Sequence, residues 1–263
     1  MVFLQAGVVR YFMTKLSFFF IFTFSIFANC KSPVPSVNLA STQDPDIVLV
    51  NIENGDREFI GKVLLKIDSL NPLLTGIDVY FQGKKTQRED SILSQALKKI
   101  NNDILSYSLD DKNRFENSDS VFTQFVTDKG FQKYDRTLGL ISNMTPLQKI
   151  ETRTHESFAY KVVKYWKPEL KTDIRINQQI PINYQRPLDK FFQLDGSFLL
   201  ETNIDNFDLK NKIFLLGYIG PGKEDKYFTP LRFVGKELEH DEPDTYGLVI
   251  IANQIRTILE YKK

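Results

Sequence analysis

Cysteine is almost missing from this chain of 263 residues. Cys30 is the only one, which excludes an internal disulfide. Histidine is nearly as scarce. His155 and His240 stand far apart in sequence, so no His/Cys metal cluster can form, and without an Asp-rich calcium loop only a carboxylate site for calcium or magnesium stays open. An excess of one charge is lacking too: 34 basic side chains meet 33 acidic ones, no field draws in nucleic acid, and a nucleic-acid partner is disfavoured. No serine sits in a G-x-S-x-G turn; Ser197 in "DGSFL" does not match, so the nucleophile elbow of an α/β hydrolase is absent.

What is present includes a glycine-rich stretch, "KIFLLGYIGPGKEDKYFTP", residues 212–230. Gly217, Gly222 and Lys223 satisfy the G-x-x-x-x-G-K of a phosphate loop. Glu224, however, occupies the place of the hydroxyl that would ligate magnesium, where a carboxylate repels phosphate. A long helix should follow, yet β-favouring residues and Pro230 come instead. The stretch reads as a glycine turn after a buried strand, and no cofactor is expected.

Residues 1–29 carry Arg10 and Lys15 ahead of an apolar run from Leu16 to Ala28, with Cys30 next. That run falls short of the about 20 residues a membrane span needs and fits the apolar region of an export signal. Met13 offers a second start, because the stretch from it to Cys30 is a complete short signal. "FANC" resembles a bacterial lipobox, whose cysteine is acylated and becomes the mature N-terminus, with Phe27 and Asn29 in place of the usual Leu and Gly or Ala. An uncleaved anchor and an incidental buried cysteine are the alternatives. The lipoprotein reading places the protein in the bacterial cell envelope, on the periplasmic or extracellular side, tethered to a membrane by lipid on Cys30. Residues 30–43 then form anchor and linker, and residues 44–263 form one domain.

Within that domain, "DIVLVNI" (46–52) is a β-branched run suited to a strand buried on both faces. Asn54, Gly55 and Asp56 make a turn and cap, after which Ile60, Val63, Leu64, Ile67 and Leu70 follow helical spacing. "PLLTGIDVYF" gives a second strand ending at Asp78, "EDSILSQALKKI" a helix, and "NDILSYSL" a third strand. This βαβαβ succession predicts an α/β fold with a mostly parallel sheet flanked by helices and an irregular middle insertion. The spacing further predicts a hairpin or meander over 121–144, a helix over 151–166, strands in "INQQIPINYQ" and "KIFLLGYIG" separated by "LDGSFLLETNIDNFDLKN", and a terminal helix with Leu248, Ile251, Ile255, Ile258 and Leu259 on its apolar side.

Three blocks in order, "DPDIVLVNI...DREFIGKVLLKI...LLTGIDVYF", "INYQRPLDKFFQLDGSFLL...KIFLLGYIG" and "DKYFTPL...DTYGLVIIANQIRTIL", resemble the type 2 CHASE domain, an extracellular sensory domain of bacterial cyclases, histidine kinases and related signalling proteins. The resemblance covers residues 44–259 and implies sensing or protein contact without catalysis. Ile251 stands where the family often has a His before the Ala252–Asn253 pair. Family members usually continue into membrane spans and an output domain, whereas this sequence stops at Lys263, so the resemblance implies action through a partner, with a small ligand or an envelope signalling protein as the expected contact.

Ligands of parallel sheets bind beyond the carboxyl ends of strands. The candidate ligand-binding residues there are Asn51, Glu53, Arg57, Asp78, Tyr184, Arg186 and Tyr218, with Asn183 beside them. Asp78 is the expected polar anchor, with capping of a turn or helix as its plainer role, and Arg57 at the start of the first helix is expected to pair with it. His155 reads as a core-edge or exposed imidazole and His240 as solvated. Two rival functions stand beside the sensor: an envelope hydrolase using carboxylates such as Asp78 and Glu53, and a structural protein that docks through the exposed face of the terminal helix.

Overall fold

The computed structural model describes residues 39–204, 206–233 and 242–261. Cys30, the export signal, the first part of the linker and His240 lie outside the described residues. Alternation in short apolar strands builds the architecture. In β1 (Ile47–Asn51), Ile47 and Leu49 face one side of the sheet and Val48 and Val50 the other, and both sets are buried. The same division holds for β2 (Leu74–Ile77), β3 (Asp103–Leu109) and β12 (Ile213–Gly217). Both faces must therefore be covered by helices, as continuous apolar strands require.

One face is covered by α1 (Arg57–Ser69) and α2 (Gln87–Lys99). Asp56 caps α1 by accepting from Phe59 N (2.8 Å), and Thr86 with Glu89 forms a capping box at α2. The other face is covered by α4 (Phe158–Trp166), capped by Ser157, and by α6 (Gly247–Glu260). The strand order is β11 (Phe192–Asp195), β1, β12, β2, β3, with β5 (Asp128–Gln132) beyond β3; all these neighbours are parallel. Only the two-residue β4 (Phe115–Glu116) runs antiparallel, against the end of β3.

The middle segment holds the short helix α3 (Ser120–Thr123) and a hairpin of β6 (Asp135–Thr137) with β7 (Leu140–Met144), as the spacing suggested, while β5 joins the main sheet. A second hairpin, β8 (Leu147–Ile150) with β9 (Arg153–Glu156), takes the residues that helical spacing assigned to the start of α4. His155 is thus a strand residue. Its Nδ1 lies 3.1 Å from the Tyr107 hydroxyl, and its ring rests against Phe115. The expected strand in "INQQIPINYQ" shrinks to β10 (Ile180–Pro181), paired with β7. The segment read as a mere separator supplies β11 and α5 (Gly196–Glu201).

The glycine-rich turn after β12 leads to the two-residue strand β13 (Lys226–Tyr227), paired with β14 (Thr245–Tyr246), and no helix opens there. Lys223 is engaged by Glu242 at 2.6 Å. The turn is not a phosphate loop. Helix α6 is buried nearly all round: apart from the partly exposed Arg256 and Leu259 and the exposed Glu260, every residue from Gly247 to Ile258 is enclosed. It therefore presents no apolar docking face, which corrects the expectation that its outer side was free. Among the described residues no helix is long and apolar enough to cross a membrane.

Candidate functional site

The carboxyl ends of β12, β2 and β3 meet the first turn of α6, and polar groups gather there. Asp78 follows Ile77, which belongs to the α1/α2 core, so alternation turns Asp78 to the α6 side. Ile77 pairs with Leu105 in register, which sets Ser106 of β3 beside Asp78 on the same face. Asp225 and Tyr227 arrive from the loop after β12 and from β13, and Tyr134 from the turn between β5 and β6. The rings of Tyr134 and Tyr227 pack with centroids 4.6 Å apart.

Glycine makes this convergence possible. A methyl group on Gly247 would lie 2.8 Å from an Asp225 carboxylate oxygen and 2.9 Å from the Tyr134 hydroxyl, so the helix can only approach this closely with hydrogen at that position. Gly217 does the same one strand away, where a methyl would meet Leu248 at 2.9 Å. The backbone N–H of Gly247 donates to the Asp225 carbonyl at 3.0 Å.

The electrostatics of the cluster are unusual. Asp78 keeps a strip of surface open to solvent, but dense packing around it pushes its carboxyl up to about 6, offset only partly by the nearby Ser106 hydroxyl. Asp225 is pushed up to about 7 by burial and by the Asp78 charge, with the Tyr227 hydroxyl and the Gly247 N–H pulling it partway back. Burial, then the Asp78 charge, raises the Tyr80 and Tyr134 phenols as well, and Tyr227 is raised by burial and then by Asp225. No cation acts on either carboxylate among the described residues. The Ser106 hydroxyl is buried and closes no hydrogen bond of normal geometry, although it sits near Asp78 and Tyr80. Strongly perturbed groups that converge at the carboxyl ends of the strands make this cluster the candidate site.

The family model of the CHASE2 domain matches residues 23–263. The chain belongs to the CHASE2 domain family. CHASE2 domains are extracellular sensory domains of signalling proteins, and this chain is a sensory domain of that family with a mostly parallel α/β fold. No curated protein and no solved structure matches this CHASE2 domain.

The remaining residues expected at the strand ends of the CHASE2 domain lie outside this cluster and make contacts within the fold. Asn51 Nδ2 donates to Asp195 Oδ1 (2.9 Å), and its Oδ1 accepts from the backbone N–H of Glu53 (3.0 Å) and Ile219 (2.8 Å), locking three strand ends together. Glu53 is held at a φ of 55° and accepts from Ser197 N (3.0 Å) and Ser197 Oγ (2.7 Å), which caps α5. Arg57 does not pair with Asp78. It is buried on the α1/α2 face, where it binds Asp90, donates to the Gln82 carbonyl (2.7 Å) and lies over the Phe122 ring. Asp78 points to the opposite face of the sheet, so the expected pair was sterically unavailable.

Tyr184 is buried and donates to the Ile141 carbonyl (2.8 Å), and burial raises its phenol far above the usual range. Arg186 lies 3.2 Å from the fully buried Asp44 carboxylate, without the alignment of a hydrogen bond. Asp44 also binds Arg256 and accepts from the backbone N–H of Asp46 and Ile47 at 3.0 Å each. Asn183 lies away from the cluster, its backbone N–H donating to Thr257 Oγ1 (2.9 Å), and the Tyr218 ring folds over Gly220. Of the residues expected from sequence, only Asp78 belongs to the cluster. Ser106, Tyr134, Asp225 and Tyr227 were missed; the one signal in sequence was a serine inside the otherwise apolar start of "DILSYSL".

Two open depressions lie elsewhere in the CHASE2 domain. One of about 390 Å³ is bordered by Leu188, Gln193, Leu231, Thr245 and Val249, and one of about 260 Å³ by Pro45, Phe192, Phe207 and Lys212. Neither brings uncompensated buried charges together, and the cluster at Asp78 is the candidate site.

Proposed function

We propose that this CHASE2 domain is the ligand-binding sensor of an envelope signalling system, tethered to a membrane through Cys30, without catalysis of its own, and acting on a partner protein. The observation that supports it most is the pair Asp78 and Asp225, two carboxylates held at the carboxyl end of the sheet without a counter-ion among the described residues. A fold gains nothing in stability from such a pair, so a ligand is the simplest reason for it. The export-type segment ending at Cys30 and the extracellular habit of the family agree on the compartment.

The test follows native, Cys30→Ala and Asp78→Asn proteins in cells by fatty-acid labelling, envelope fractionation and in-cell crosslinking. Native protein should be labelled and membrane-bound, with a crosslinked partner whose yield changes in Asp78→Asn. Loss of label in Cys30→Ala alone is required. Equal partner yields for native and Asp78→Asn would separate the site from signalling and refute the reading.

A hydrolase is the second reading, because two carboxylates titrating near neutrality can act as acid and base. Its geometry differs from the sequence-based version, since Glu53 is consumed in capping α5. Turnover of an ester or glycoside by native protein, abolished in Asp78→Asn, would establish it over the sensor.

A further inference from the structure

The cluster at Asp78 makes a chemical demand that narrows the class of ligand, and this step rests on the ligand-binding reading above. Its acceptors outnumber its donors. Asp78 and Asp225 each present carboxylate oxygens, and the Ser106 hydroxyl beside them, 1% exposed, has no hydrogen-bond partner. The phenols of Tyr80, Tyr134 and Tyr227 add oxygen and ring surface around them. An anionic ligand is disfavoured because the first turn of α6, the natural place for one, already faces the chain's own Asp225 carboxylate. A divalent metal is poorly served as well: no group of three His, Cys, Asp or Glu side chains suited to a metal occurs among the described residues.

We propose that the cluster formed by Asp78, Asp225, Ser106 and the Tyr134–Tyr227 ring pair binds a small organic cation bearing a primary ammonium group. An ammonium has three N–H donors and no acceptor, which matches two carboxylates and one hydroxyl. Aromatic rings beside the carboxylates suit the attached carbon chain and the positive charge. Without ligand the two carboxyls hold their protons to a higher pH than free carboxyls do, Asp78 to about 6 and Asp225 to about 7. Binding therefore displaces protons. The other titratable groups facing the cluster are Tyr80, Tyr134 and Tyr227, with Glu116 near Tyr80 and Arg136 near Tyr227; the three phenols, all raised above their ordinary value, stay protonated between pH 6 and pH 8 and do not contribute to the change.

Calorimetry and thermal shift on the full chain test this with five probes: n-butylammonium, tetramethylammonium, n-butanol, butyrate and calcium. The expected result is binding of n-butylammonium in preference to the other four. Affinity should fall about 20-fold from pH 8 to pH 6, because both carboxylates must lose their protons while the amine stays charged throughout. Asp78→Asn and Asp225→Asn should each weaken binding at least tenfold. Ser106→Ala should weaken it about fivefold and leave the urea midpoint unchanged, since its hydroxyl makes no hydrogen bond in the fold. Equal binding of butanol, butyrate or calcium, lost in Asp78→Asn, overturns the cation while the ligand-binding reading survives. Amine binding that is unaffected by Ser106→Ala and Asp78→Asn, or that does not strengthen with pH, overturns the site. No response to n-butylammonium at tens of millimolar overturns the proposal and leaves the sensory reading to its own crosslinking test.

Discussion

Replacing Asp78 by Asn should make the protein more stable at pH 8 and barely change it at pH 4. In the folded chain this carboxyl titrates near 6 instead of its ordinary 3.8, because burial disfavours the charged form. A carboxyl whose folded value is raised binds its proton more tightly in the native state. Its favourable contribution is therefore complete below about pH 4 and is lost as pH rises toward about 7. The displacement corresponds to about 3 kcal/mol, and the remaining solvent contact of Asp78 reduces this to about 2 kcal/mol. Asparagine keeps the shape and never ionises. It also removes the charge that pushes Asp225 upward, so the slope of stability against pH should flatten by more than one group's share. Urea unfolding of parent and variant at pH 4.5, 6 and 8 measures this, and at pH 8 the melting temperature should rise by about 4 to 8 °C. A variant less stable than the parent at pH 8, or one with an unchanged pH slope, would refute the idea that Asp78 is a strained carboxylate.

Asp44→Asn should destabilise the domain by about 3 kcal/mol, because it leaves Arg186 and Arg256, 15% and 13% exposed, with only the outlying Asp46 as counter-ion. A loss below about 1 kcal/mol in urea unfolding would show that the buried carboxylate does not organise this corner. Arg57→Ala should cost about 2 kcal/mol through the lost bond to the Gln82 carbonyl and the lost contact with Phe122, while leaving the stability slope between pH 5 and pH 8 as in the parent. A changed slope in that window would mean that Arg57 reaches the Asp78 cluster after all.

The strands and helices of the main sheet were legible because each is buried in the manner its pattern declares. β1 and β12 are apolar on both faces, and α1 has one apolar stripe behind Asp56. Strand β11 was hidden by its shortness, since four residues with alternating exposure carry little periodicity. The early start predicted for α4 failed because Arg153–Glu156 pair with β8, and Ser157 caps the helix only after them. For the site, strand-end logic found Asp78. Ser106 reaches it through strand register and Tyr134, Asp225 and Tyr227 from distant segments, a convergence that no local pattern encodes. Arg57 shows the converse: near Asp78 in sequence order, it faces the other core because a single residue of strand alternation separates Ile77 from Asp78.

Helix α6 begins against Asp225 and Tyr134 and, near its far end, grips Asp44 through Arg256. Its 14 residues span about 21 Å, and packing on nearly every side leaves it no room to flex. One continuous packed element therefore joins the Asp78 and Asp225 cluster at the carboxyl ends of the strands to Asp44, in the segment ahead of β1 at the opposite ends of the same strands.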